Sequence, residues 1–173
     1  MNSSKRNMKP QDVVILLKII ALGDQSWYHH TLAESLNISQ SEVTQSLNRS
    51  RFSGLIDANR KEVSRLGLLE FLQYGVKYSF PEQPGALVRG IPTAHSAPPL
   101  SDEIQSQDPY VWPHASGKVR GQSIEPLYRS VPNAVEKDEK LYELLTLVDA
   151  IRVGRVREKQ LALHHLNEIF SHG

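Results

Sequence analysis

The stretch Thr31-Leu-Ala-Glu-Ser-Leu-Asn-Ile-Ser-Gln-Ser-Glu-Val-Thr-Gln-Ser-Leu47 carries the pattern of two short helices joined by a tight turn. Thr31 and Glu34 have the spacing of a capping box, and Ser39 and Glu42 repeat it. Helix starts that close together leave room for one short helix, a turn and a new helix. Asn37 suits the turn, because Asn tolerates positive φ better than any residue except Gly. Leu32, Ala33 and Leu36 then form the inner face of the first helix, and Val43 and Leu47 that of the second. Ile38 plugs the turn, and the small Ala33 lets the two helices cross closely.

Outward from this pair, the flanking sequence supplies two further helices. Residues 1 to 8 read as disordered, and Pro10 suits the first turn of a helix. Val13 to Leu22 is apolar nearly all round, and Gly23 stops it, so this helix is buried on most sides and is either central or part of a subunit contact. Asp12 and Lys18 interrupt the apolar run, which argues against a signal peptide. Trp27 and Tyr28 are expected to anchor the following loop against the core. Gly54 ends the second helix of the pair. Leu55-Ile56-Asp57 and Glu62-Val63 then read as two short strands, with Ala58-Asn59-Arg60-Lys61 at the hairpin tip. Ser64 starts a further helix with apolar Leu66, Leu68, Leu69, Phe71 and Leu72, closed by Gly75. Val76, Tyr78 and Phe80 alternate as an extended segment would.

Residues 10 to 65 resemble the winged helix-turn-helix domains of bacterial transcription regulators, the broad group that includes the MarR, ArsR and Lrp types. Leu32-Ala33-Glu34, Leu36-Asn37-Ile38-Ser39, Val43, Leu47 and Phe52-Ser53-Gly54-Leu55-Ile56 carry the match, with Asn37 where Gly is commoner. It covers about a third of the chain. The resemblance implies that the helix at 39–52 enters the major groove of double-stranded DNA. Its outward positions are then Gln40, Ser41, Thr44, Gln45, Asn48 and Arg49. Gln and Asn match adenine edges and Arg matches guanine, so Thr44, Gln45 and Gln40 are the expected base contacts. Ser41, Asn48, Arg49 and Arg51 fall to phosphates. Arg60 and Lys61 at the wing tip would reach the backbone or the minor groove.

Between Pro81 and Pro132 lie nine of the ten prolines, which precludes long helices. Ile91, Leu100, Tyr110, Val111, Trp112, Ile124, Leu127 and Tyr128 give this stretch more apolar anchors than a disordered segment carries. Val88-Arg89-Gly90 recurs faintly as Val119-Arg120-Gly121, with a Pro-Leu following each, at Pro99-Leu100 and Pro126-Leu127. The segment reads as extended chain and short β pieces draped over a partner surface. Asp138 opens a helix with Leu141, Leu144, Leu145, Val148, Ile151 and Val153 at helical spacing. Gly154 breaks it, and a last helix carries Val156, Leu161, Leu163, Leu166, Ile169 and Phe170. These terminal helices either build a dimer or pack onto their own chain. The whole reads as mainly α with a small β-wing, then a Pro-rich irregular segment and C-terminal helices, divided at 9–80, 81–135 and 136–173.

The net charge of +1 is uninformative, but Arg49, Arg51, Arg60, Lys61 and Arg65 outnumber Asp57 and Glu62 locally. With no cysteine there is no disulfide, thiolate catalysis or cysteine-ligated zinc. Adjacent His29-His30 and His164-His165 point about 100° apart on a helix and make poor metal clamps. His95 and His114 have no partner at metal-ligand spacing. No P-loop, dinucleotide fingerprint, nucleophile elbow or zincin motif occurs, so neither enzyme, metal nor cofactor is expected. Thr93-Ala94-His95-Ser96 does not make a nucleophile–base pair by sequence proximity alone. Arg89 and Arg120, each before a Gly, either hold phosphate or are solvated beside a turn. No apolar run reaches eighteen residues, so no membrane span is expected, and the absence of cysteine makes a reducing cytoplasm the natural home. The leading expectation is a sequence-specific transcriptional regulator, a dimeric repressor. The alternatives are an antitoxin-like interaction protein whose segment 81–132 wraps a partner protein, and a ligand sensor with a pocket between Trp112, Tyr128 and the terminal helices.

Overall fold

Pro10 sits at the first position of α1 (Pro10–Leu22), which ends at Gly23 with φ 60°. The chain is seen here in a computed structural model that describes residues 6–106 and 108–172. Residues 1–5 of the stretch expected to be disordered lie outside these. Arg6 rests over the Phe52 ring at 4.8 Å, and Met8 packs against the core. Val13 to Leu17 are fully buried, as an all-round apolar helix requires. What clads α1 is α2 (His29–Leu36), α3 (Gln40–Phe52) and α7 (Glu139–Val153).

The two helices joined by a turn form, with one change at the first cap. The α2 helix starts at His29, capped by Tyr28, so Thr31 stands at the third helical position and not at the cap. Thr31 Oγ1 accepts from the Tyr28 amide at 2.8 Å and donates to the Tyr28 carbonyl, closing the turn from inside. Asn37 takes the left-handed conformation, φ 53° and ψ 46°. Ser39 accepts the Glu42 amide at 3.1 Å, whereas the Glu42 carboxylate turns inward and completes no reciprocal box.

The hairpin expected as a wing of two strands is reduced to a single antiparallel bridge between Ile56 and Val63. Asp57 explains this, since its Oδ1 takes the amides of Lys61 and Glu62 at 2.7 and 3.0 Å, and Arg60 turns left-handed at φ 58°. Ser64 caps α4 (Arg65–Tyr74), with Leu68 and Leu72 fully buried. Leu66 does not pack back; it is 80% exposed. The alternating Val76, Tyr78 and Phe80 do not make a strand either, because Val76–Ser79 forms the short helix α5, which buries Val76 and exposes Tyr78.

The Pro-rich stretch departs most from expectation. It contains β1 (Leu87–Pro92), β2 (Tyr110–Pro113) and β3 (Val119–Ser123), closed into a three-stranded barrel. The β1 strand runs antiparallel to both others, and β2 meets β3 in parallel at Tyr110 opposite Gln122. Closure needs glycine: a Cβ on Gly90 would lie 2.0 Å from the Trp112 carbonyl oxygen, and one on Gly121 2.5 Å from that of Pro109. The faint repeat is the two halves of one pairing, with Val88 opposite Gly121, Arg89 opposite Arg120 and Gly90 opposite Val119. The segment is ordered by its own strands and by packing on α7, so it is not an extended strap. Trp112, expected to border a ligand pocket, is buried among these elements.

Asp138 caps α7, and α8 (Val156–Ser171) follows Gly154. Both pack onto their own chain. α7 is buried along most of its length against α1, α4, α5 and α8, while α8 buries Ala162, Leu166 and Phe170 and leaves Val156 70% exposed. The short α6 (Val131–Ala134) lies against α2. One apolar cluster runs through all of these elements, so the core is continuous across the boundaries expected at 80 and 135. The architecture is mixed, mainly helical with one small sheet.

Two buried arginines knit the core. Arg152 Nη1 meets Asp149 Oδ1 at 2.9 Å, while Asp149 Oδ2 accepts from Thr93 Oγ1 and Trp112 Nε1, both at 2.7 Å. Arg152 also donates to the Phe80 and Glu125 carbonyls. Burial pushes the Asp149 carboxyl above its ordinary pKa, against the pull of Arg152 and the two donors. Asp149 therefore ties β2, the chain leaving β1 and α7 together. The other buried arginine belongs to α3.

Candidate nucleic-acid interface

The α3 helix has one face sealed and one face open. Val43, Ser46, Leu47, Arg49 and Ser50 are buried against the body, and Gln40, Ser41, Gln45, Asn48 and Arg51 are exposed. The sealed face fixes the helix rotation through charge. Arg49 forks onto Asp12 of α1, Nε to Oδ2 at 2.9 Å and Nη2 to Oδ1 at 2.7 Å. Asp12 meanwhile accepts the Lys9 amide at 2.9 Å, so the same carboxylate caps α1 and locks α3. Glu42 joins from the rim, accepting from Arg49 and Gln11. Burial opposes ionisation of Glu42, but those two hydrogen bonds outweigh it and hold the carboxyl below its usual pKa. The Arg49 guanidinium is likewise disfavoured by burial but raised by Asp12 and Glu42. Arg49, expected to reach phosphate, is thus a structural residue with 3% exposure.

On the open face, the amides of Gln40, Gln45 and Asn48 point away from the body. Gln45 reaches Ser41 Oγ only at 3.4 Å, a long contact that leaves its head group free to re-pair. Thr44 differs from the sequence expectation, being half-buried with its hydroxyl engaged. That hydroxyl donates to the Gln40 carbonyl at 3.1 Å and lies 2.9 Å from His29 Nδ1. It can present its methyl group outward, but its hydroxyl is not free for a base.

The hairpin tip folds back beside this face. Arg60 Nη1 donates to Asn48 Oδ1 at 3.0 Å, which orients the Asn48 amide and leaves the other guanidinium donors open. Lys61 does not project from the tip as expected. Its ammonium sits 4.4 Å above the Trp27 ring and 3.3 Å from the Trp27 carbonyl oxygen. Asp57, half-buried, keeps a lowered pKa because the Glu62 and Lys61 amides bond its carboxylate. Tyr28 does not anchor the loop; it is 62% exposed and stacks on His30 with 5.6 Å between centroids.

His29 was not singled out as a contact from sequence, yet it touches the open face through Thr44 and stacks on Trp27. Burial lowers its pKa first, and the charges of Arg60 and Lys61 lower it further. The only signal in the sequence was its place just before the helix pair, and helix geometry alone does not bring α2's first turn onto the middle of α3. The other histidines are held apart: His95 against Asp108 and Tyr110, His114 against Asn133, and His164 and His165 against Glu168 and Glu103.

The chain matches no protein-family model, and no curated protein or solved structure matches it. What the site offers is a locked helix with three exposed amide side chains, Gln40, Gln45 and Asn48, beside exposed Arg51 and the Arg60 that holds Asn48. Such amides pair bidentately with adenine in the major groove, and the cations suit the backbone beside it.

Proposed function

We propose that this chain is a sequence-specific DNA-binding transcriptional regulator, a dimeric repressor that inserts α3 into the major groove. The observation that carries the reading is the outward row Gln40, Gln45 and Asn48 on a helix whose opposite face is locked by the Arg49–Asp12 fork. A locked helix presents base-reading groups in one orientation, which discrimination between bases requires. Arg51 and Arg60 serve the phosphates, and Asn48 is held in place by Arg60. Two copies related by a twofold axis would offer two such helices about one duplex turn apart, so the preferred site is an inverted repeat.

Selection of bound sequences from a random duplex pool, followed by gel shifts at two salt concentrations, tests the proposal. An enriched inverted repeat is expected. Gln45→Ala should relax preference at one position of each half-site, by about tenfold to a hundredfold in discrimination. Arg51→Gln together with Arg60→Gln should weaken all sequences alike and flatten the salt dependence. Equal binding of every sequence by wild type and Gln45→Ala would remove the proposal.

A further inference from the structure

The barrel carries a second cationic surface. Arg89 on β1 and Arg120 on β3 are directly opposed in the antiparallel register, so both side chains leave the same face. Residues so paired have Cβ atoms about 5 Å apart, and like charges placed there repel. Lys118 adds a third positive charge one residue before β3. All three are exposed, and among the described residues none forms a salt bridge or a side-chain hydrogen bond. A cleft of about 350 Å³ lies among Arg89, Gly117, Lys118, Val119 and Arg120. Its floor is bare backbone, because a Cβ on Gly117 would come within 2.4 Å of Gly90.

Three other arginines use protein partners: Arg49 has Asp12 and Glu42, Arg152 has Asp149, and Arg60 has Asn48. The barrel pair differs from these because strand register places two arginines opposite each other on one face, with no salt bridge among the described residues to neutralise them. A ligand bearing several negative charges in series removes that repulsion and receives hydrogen bonds from both forks. Position narrows the choice. The β2–β3 loop is tied to α6 by the His114–Asn133 contact of 2.9 Å, and α6 packs on α2, the helix that precedes the reading helix.

We infer that Arg89, Lys118 and Arg120 form a phosphate-backbone contact for nucleic acid, engaging duplex that flanks the segment read by α3. The inference rests on the DNA-binding reading for its partner. Its contribution is independent of base sequence, as backbone contacts are.

The test is fluorescence anisotropy on the full chain, with a selected duplex and a scrambled one of the same length, over a salt series. Arg89→Gln/Arg120→Gln should lower affinity for both duplexes by the same factor. The slope of log K against log salt should flatten by about 1.8 for two lost phosphate contacts. Arg89→Lys/Arg120→Lys should keep the slope, and melting curves of both variants should match wild type. An unchanged slope in the glutamine variant, with sequence preference intact, overturns this inference and leaves the function of α3 standing. A flattened slope in a protein that shows no sequence preference upholds the barrel contact and removes the regulator. Loss of binding to phosphatidylserine vesicles with duplex affinity unchanged assigns the arginines to a membrane and overturns the inference.

Discussion

The two buried arginine–aspartate pairs solve different problems. Arg49 and Asp12 join two helices by a two-pronged fork, each helix being formed by its own local hydrogen bonds. Asp149 instead gathers Thr93 from just after β1, Trp112 from β2 and Arg152 from its own helix. The first pair sets the rotation of an element that already exists. The second holds together elements that local sequence does little to stabilise, since a three-stranded sheet of short strands is marginal alone. Charge placement thus tunes orientation in the helical half and supports assembly in the barrel half.

Removing one partner from each pair separates these roles. Arg49→Ala has the largest expected effect, about 3–5 kcal/mol in denaturant unfolding, because it strands the Asp12 carboxylate in a fully buried site. Loss below about 1 kcal/mol would mean that water reaches Asp12 and the fork does not lock α3. Asp149→Asn keeps the shape and an acceptor, so about 1–3 kcal/mol is expected. Its pH dependence has an unusual sign. The folded pKa of Asp149 lies above the unfolded value of 3.8, so its stabilisation is full below 3.8 and declines as pH rises through the raised value. The deficit of Asp149→Asn relative to wild type should therefore be larger near pH 4 than at pH 7. Glu42 runs the other way: its lowered pKa gives stability present above 4.5 and lost as pH falls.

Gly90→Ala sharpens the contrast further. With its Cβ 2.0 Å from the Trp112 carbonyl oxygen, about 1–3 kcal/mol is expected from the strained closure. Hydrogen exchange should show the barrel amides losing protection more than those of α2 and α3. Equal loss everywhere would make the two halves one cooperative unit. The smallest expected effect is on binding. Burial depresses the His29 pKa first, and the charges of Arg60 and Lys61 add to it. On the proposed reading duplex phosphates would offset those charges, so binding would take up a proton and affinity would fall as pH rises above the lowered His29 value. Calorimetry in buffers of different ionisation enthalpy reads that proton, and His29→Gln should abolish it. For stability, the lowered His29 pKa acts oppositely, since the unfolded chain takes the proton first and stability is lost as pH falls below 6.5.

The helical half was legible because its signals are local. Pro10, Gly23, Asn37, Ser39, Ser64 and Asp138 all stand at the helix ends or turns that their chemistry demands. The barrel was not, since Val88-Arg89-Gly90 pairs with a triplet some thirty residues on and nothing local fixes that register. At the site, sequence spacing identified the open face of α3 at Gln40, Ser41, Gln45 and Asn48. It misassigned Arg49, because periodicity alone does not reveal a buried carboxylate waiting on another helix. Lys61 and Thr44 failed for a related reason: their partners, Trp27 and His29, belong to a segment whose path depends on the fold.

The clad helix α1 bears on how such a molecule would respond to a signal. It touches α2, α3 and α7, and Lys18 at its far end bridges to Asp138 at 2.5 Å. A rod gripped along its whole length transmits twist with little slack. Any event that turned α7 would therefore swing the exposed side chains of α3 as one body.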